Sequence, residues 1–147
     1  MQATALVLVM TLAPADASPP VDGPPPPSAV TVNDAGELQG QWEVVGCVEG
    51  RKDQSHRYKG GRWRFTGMSL VIDAKVGIKG SHDIQVDPYC DPPAVDQVML
   101  HGLPLAGIYR RFGDELIWAE ERTTRERPAS FEPVEGFVVW TLRRVKK

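Results

Sequence analysis

The chain has 147 residues, enough for one domain with its own core. Hydrophobic residues make up 41% and charged residues 24%, the balance of a chain that buries a core and keeps a polar surface. A net charge of −2 leaves no basic footprint for nucleic acid or an anionic membrane, so neither is expected as a partner.

Ala3 to Leu12 is an apolar run of ten residues, too short to cross a bilayer as a helix, and no transmembrane segment is expected. Ala15-Asp16-Ala17 supplies the small-x-small pattern of a signal-peptidase site, with Ser18 following. Residues 1–17 are therefore read as a signal peptide whose basic front end is missing, because Met1 and Gln2 alone precede the run. No cysteine follows the run to carry a lipoprotein anchor. The expected location is periplasmic or extracellular. Residues 18–36 read as a proline-rich disordered linker: Pro19, Pro20 and Pro24 to Pro27 favour polyproline II and cannot build a ladder. Asn33 to Gly36 turns the chain into a domain spanning 37–147.

From Glu37 onward strand follows strand. Trp42 to Val48 carries apolar residues on both parities, whereas Arg62 to Thr66 alternates cleanly with Trp63 and Phe65 on one face. Gly67-Met68 turns into Ser69–Asp73. Val76 to Gly80 and Asp83 to Val86 are expected as one strand bent near Gly80. Val95–Leu100, Leu105–Phe112, Glu115–Glu120 and Gly136–Val145 complete roughly eight strands. Gly113-Asp114 suits a two-residue type II′ hairpin, since glycine takes the positive-φ position without steric cost. Thr123 to Pro133 reads as a long loop. Consecutive hairpins without βαβ spacing predict an all-β fold, an antiparallel up-and-down meander. Closing it into a barrel of roughly eight strands removes the exposed edges. Gly40 and Trp42 at the start of the first strand, with Arg143 and Arg144 at the end of the last, suggest that these two strands meet.

The chemistry-bearing residues are sparse. Cys47 and Cys90 are the only cysteines, and an exported chain can oxidise them. A bridge would close a loop of roughly forty residues, worth about 3–4 kcal/mol; the alternative is one buried and one exposed thiol. Ser81-His82-Asp83 is no triad in a strand, where successive side chains point to opposite faces. His56, His82 and His101 lack metal-site spacing, Asp87, Cys90 and Asp91 are ordinary turn formers, and no metal or cofactor is expected. Glu120-Glu121 reads as a solvated strand end rather than a general acid/base pair. Arg110-Arg111 and Arg143-Arg144 lie on opposite parities of their strands, so one of each pair faces inward. An inward arginine either pairs with an acid such as Glu120 or Glu121, or faces an anionic ligand.

Several motifs in order carry a resemblance. Leu38-Gln-Gly-Gln-Trp-Glu-Val-Val45, Glu49-Gly-Arg51, Asp87-Pro88 with Pro92 to Asp96, Gly107-Ile-Tyr109 with Gly113-Asp-Glu-Leu116, Arg127-Pro-Ala-Ser-Phe131 and Leu142-Arg-Arg144 resemble the secreted lipocalin-like domain family abundant in planctomycetes. The resemblance runs from about Leu38 to Val145 and implies a lipocalin-like barrel. The family has no established activity and supplies no catalytic residues. In true lipocalins a Gly-x-Trp sits at the barrel base under an arginine from the barrel's end. By analogy Trp42 would be covered by Arg143 or Arg144, a structural contact worth roughly 0.5–2 kcal/mol.

Two functions follow as expectations, neither enzymatic. One is an exported binding module holding a small, largely apolar and perhaps acidic ligand. Its candidate lining is Trp63, Phe65, Tyr109, Arg110, Trp118 and Trp140, with Ile108 and Phe137 in a wider set. The other is a structural or protein-interaction domain with a side-chain-filled barrel. Either function is sought away from the Trp42 floor, near the Asp87–Pro93 or Thr123–Pro133 loops, or inside the barrel.

Overall fold

The computed structural model describes residues 32–75, 79–98, 102–123 and 126–147. The signal-peptide reading, most of the linker reading and His101 lie outside them. A 3-10 helix, Val32–Leu38, is followed by β1 (Gly40–Glu49), β2 (Lys52–Asp53), α1 (Ser55–Tyr58), β3 (Arg62–Thr66) and β4 (Ser69–Asp73). Then come β5 (Lys79–Asp87), β6 (Ala94–Val98), β7 (Leu105–Phe112), β8 (Glu115–Glu121) and β9 (Phe137–Arg144). All strand pairs are antiparallel: β1-β3-β4-β5-β6-β7-β8-β9 runs in sequence and β9 pairs back onto β1. The result is a closed eight-stranded barrel, with the short β2 as an extra strand beside the far half of β1.

Local chemistry accounts for most of these elements. The Phe112↔Glu115 and Thr66↔Ser69 registers leave two-residue hairpins at Gly113-Asp114 and Gly67-Met68. Gly113 and Gly67 both sit at φ +58°, where a side chain would be strained. The mixed parity of β1 has its cause in a register shift between Val44 and Gly46 against β9. This bulge flips the inward set from Trp42 and Val44 to Cys47, all of them buried.

The barrel floor is a tied knot of side chains. The 3-10 helix buries Ala35 and Leu38 completely, so the ordered domain begins before residue 37. A helix end leaves carbonyls without partners. Here Trp42 Nε1 donates to Leu38 O at 2.7 Å, and Arg144 donates to Gln39 O at 2.7 Å and Glu37 O at 3.0 Å. Arg144 also stands 4.2 Å over the Trp42 ring, a cation–π contact. Of the two terminal arginines it is therefore Arg144 that closes the floor; Arg143 is exposed on the outer face. Arg111 reaches the same helix end, 3.2 Å from Glu37 O. Gln39 finishes the closure by accepting from Gly67 N–H at 2.8 Å and donating to Gly67 O at 2.9 Å.

The loop after β8 is a strap rather than a free excursion. Arg127 donates to Val95 O and Gly107 O, at 3.2 and 2.7 Å, and pairs with Asp96 at 2.9 Å. Phe131 packs on a small outer cluster of Ile108, Ala119 and Val139, which are register partners on β7, β8 and β9. The Arg-Pro-x-x-Phe element thus hides an apolar patch on the barrel's outside.

Removing the floor indole leaves a cavity, takes the indole donor from Leu38 O and takes the ring from under Arg144. Trp42→Ala is expected to lower stability by about 3–5 kcal/mol in urea denaturation; a loss below about 1 kcal/mol would contradict its place in the closure.

Candidate functional site

The floor carries the 3-10 helix, the β3–β4 and β7–β8 hairpins and, because strands alternate in direction, the Pro88–Pro93 turn. That turn therefore lies at the Trp42 end, not opposite it as the sequence reading placed it. The other end, the mouth, holds the β1–β2 turn, α1 and the strand ends at Val98, Leu105 and Glu121.

The inward positions bring five of the six expected lining residues together. Trp63 and Trp118 stack edge to face at 5.5 Å, Trp63 and Trp140 lie 5.5 Å apart, Phe65 and Trp118 5.9 Å, and Tyr109 and Trp118 6.4 Å. All five are buried, so they fill the barrel rather than line an open chamber. Tyr58 of α1 closes over Trp140 from the mouth, edge on at 5.1 Å.

Arg110 is not among them. It lies on the outer parity of β7, 5.5 Å over Phe131 and 3.1 Å from Asp91. The inward-parity partner, Arg111, is committed to the floor. Ile108 also faces out, into the Phe131 cluster, and Phe137 borders a groove on the mouth rim. Neither arginine of β7 therefore stands among the aromatic residues of the barrel interior.

Cys47 and Cys90 are separate free thiols, and the bridge is corrected to the one-buried, one-exposed alternative. Cys47 points into the barrel beside Trp140, whereas Cys90 sits in the exposed turn at the floor end and donates to Asp87 Oδ2 at 3.1 Å. Burial, with Glu49 nearby, pushes the Cys47 thiol up to about 12. The hydrogen bond with Asp87 raises the Cys90 thiol and holds the Asp87 carboxyl below its usual range. His82 sits inside β5 while Ser81 and Asp83 are exposed, an alternation that separates the three.

The residue that organises the interior is Glu120. It had read as a solvated strand end; it is 3% exposed. Its Oε2 accepts from Trp118 Nε1 at 3.1 Å and from Gln97 Nε2 through a short hydrogen bond. Its Oε1 accepts from Trp140 Nε1 at 3.2 Å and from Arg122 Nη2 at 2.8 Å. Four donors saturate one carboxylate, and Arg122, partly exposed at the mouth, balances its charge. Gly107, in register with Glu120, has no room for a Cβ, which would stand 2.8 Å from Ala119 O. A Trp-x-Glu on one strand parity was the available signal for Glu120. Gln97 and Arg122 gave none, because only the three-dimensional register brings them to it.

Above this network lies a cavity of about 100 Å³. Trp63, Ile72, Leu105 and Trp140 give it an apolar body; His82, Gln97, Glu120 and Arg122 give it a polar side. Trp63 Nε1 is buried and has no hydrogen-bond partner among the described residues. A second recess of about 170 Å³ lies on the far side of Trp140 and Arg122, against Cys47 and Tyr58. A larger groove of about 610 Å³ runs along the floor between Arg64 and Lys147, but none of the polar side chains lining it is buried.

Nothing matches this chain among protein-family models, curated proteins or solved structures.

The thiols give a direct check of the burial assignment. At pH 8, iodoacetamide is expected to label Cys90 alone in the folded protein, and faster in Asp87→Asn, where the acceptor that stabilises the neutral thiol is weakened. Native labelling of Cys47, or a Cys47–Cys90 peptide in non-reducing mapping, would contradict it.

Proposed function

We propose that the protein is a non-catalytic binding module, exported from the cell, that holds a compact and largely apolar small molecule in the upper part of its barrel. The resemblance to secreted lipocalin-like domains and the cleavage pattern at Ala15-Asp16-Ala17 support export. The observation that carries the binding reading is the cavity of about 100 Å³, in which an apolar wall of Trp63, Ile72, Leu105 and Trp140 meets a polar side of His82, Gln97, Glu120 and Arg122. The neighbouring carboxylate is occupied on every side, so Glu120 is a rigid wall and not an acid/base catalyst.

A second reading has its own support. Sites for drug-sized ligands span roughly 300–1,000 Å³, and the cavity of about 100 Å³ is well below that. The size favours a structural or protein-interaction domain with a filled barrel, unless the ligand is itself very small.

Fragment titration followed by the indole ¹H–¹⁵N resonances separates the two. Benzene-sized and smaller fragments are expected to shift Trp63 and Trp140 saturably and leave Trp42 at the floor unmoved. Ala74→Leu, which fills the cavity from its wall, is expected to abolish the shifts without unfolding the barrel. A library that moves neither indole would leave only the filled-barrel reading.

A further inference from the structure

We infer that the ligand carries a neutral hydroxyl, as a small alcohol does, and that this hydroxyl donates to Gln97 Oε1 and accepts from His82; this rests on the binding reading above. Gln97 is 3% exposed, a buried amide on the inward parity of β6. An ionised carboxylate only accepts, so the amide must turn its Nε2 toward Glu120, as it does. Its oxygen stands on the other branch of the same carbon and cannot share that partner. Gln97 Oε1 has no hydrogen-bond partner among the described residues. Nor is it one of the unpartnered interior atoms that a water-sized sphere cannot reach. It therefore opens on a space, and the space that Gln97 lines is the cavity above the Glu120 network.

The same cavity supplies a donor. Ile84 is in register with Gln97, and His82 shares the inward parity of β5 with Ile84, one step toward the mouth. His82 is thus the diagonal neighbour of Gln97, and both side chains line the cavity. Neither ring nitrogen of His82 has a partner among the described residues. An imidazole carries at least one N–H in either protonation state. One buried acceptor and one ring donor therefore border a common space. A hydroxyl both donates and accepts, and it is the smallest neutral group with a hydrocarbon body that satisfies the two.

Other groups leave a bond unmade. A ketone or ether accepts only, so Gln97 Oε1 stays bare, and a bare buried acceptor is costly. A carboxylate does the same and places a second anion beside Glu120. An ammonium meets Arg122 on the same wall and finds the four acceptor positions of Glu120 taken. Water could satisfy Gln97 and His82, but the wall of Trp63, Ile72, Leu105 and Trp140 is apolar, whereas an ordered water needs polar partners. A hydrocarbon body covers that wall, and about 100 Å³ limits it to a handful of carbon atoms.

Butan-2-ol, butan-2-one, butan-2-amine and 2-methylbutane test the assignment, since they match in heavy-atom count and differ in the group on the second carbon. Titrations are followed by the Trp63 and Trp140 indole resonances and by the Gln97 carboxamide resonances. Butan-2-ol is expected to bind about three- to tenfold more tightly than butan-2-one, the worth of one neutral hydrogen bond, and to shift the Gln97 carboxamide. In Gln97→Met, which keeps the side chain's length and leaves Glu120 its other three donors, that preference is expected to vanish. In His82→Phe the alcohol is expected to weaken by a similar factor and the hydrocarbon is not. If a variant does not fold, the order of the probes on the unmodified protein decides alone. Equal binding of alcohol, ketone and hydrocarbon would overturn the hydroxyl assignment and leave the binding module standing. So would a preference for the ketone or the amine, or an alcohol preference that persists in folded Gln97→Met. Failure of every probe to bind would remove both the assignment and the binding reading.

Discussion

Every tryptophan of this chain points into one barrel, and each brings an indole N–H that bulk water does not reach. Much of the structure can be understood as the accommodation of those four donors. Trp42 is satisfied by the end of the 3-10 helix, and this bond is what turns a loose entry segment into a floor. Trp118 and Trp140 converge on a single acceptor, so a carboxylate is carried into the barrel on β8. A buried carboxylate needs further donors and a counter-charge, which fixes Gln97 and Arg122 in turn. Trp63 Nε1 has no hydrogen-bond partner among the described residues, and its ring packs edge to face with Trp118.

The accommodation depends on closure. With β9 paired to β1, strand alternation decides which side chains share the interior, and the bulge at Val44–Gly46 lets β1 stay in register with both neighbours. The outside is then finished separately. The Arg127–Phe131 strap covers the row of Ile108, Ala119 and Val139 that would otherwise leave an apolar stripe on the barrel wall.

The fold was largely legible because its signals are local: alternation in Arg62–Thr66, the Gly67 and Gly113 hairpins, and short connections throughout. So was the convergence of Trp63, Phe65, Tyr109, Trp118 and Trp140, which follows from strand parity once the barrel closes. What failed was whatever depended on absolute orientation. Arg110 and Arg111 differ by one residue, and nothing local says which faces in; the outward strap at Phe131 decides it. Cys47 and Cys90 share an export-compatible pattern but belong to a buried strand face and an exposed turn. Glu120 looked solvated because charge usually is, and its burial is intelligible only with the two indoles and the arginine around it.

The central claim is that Glu120 is buried in the barrel as the common acceptor of the Trp118 and Trp140 indoles. Urea denaturation of Glu120→Ala tests it most directly. A loss of at least about 2 kcal/mol is predicted, because two buried indole N–H groups lose their acceptor; a loss below about 0.5 kcal/mol, the range of an exposed surface substitution, would contradict the claim.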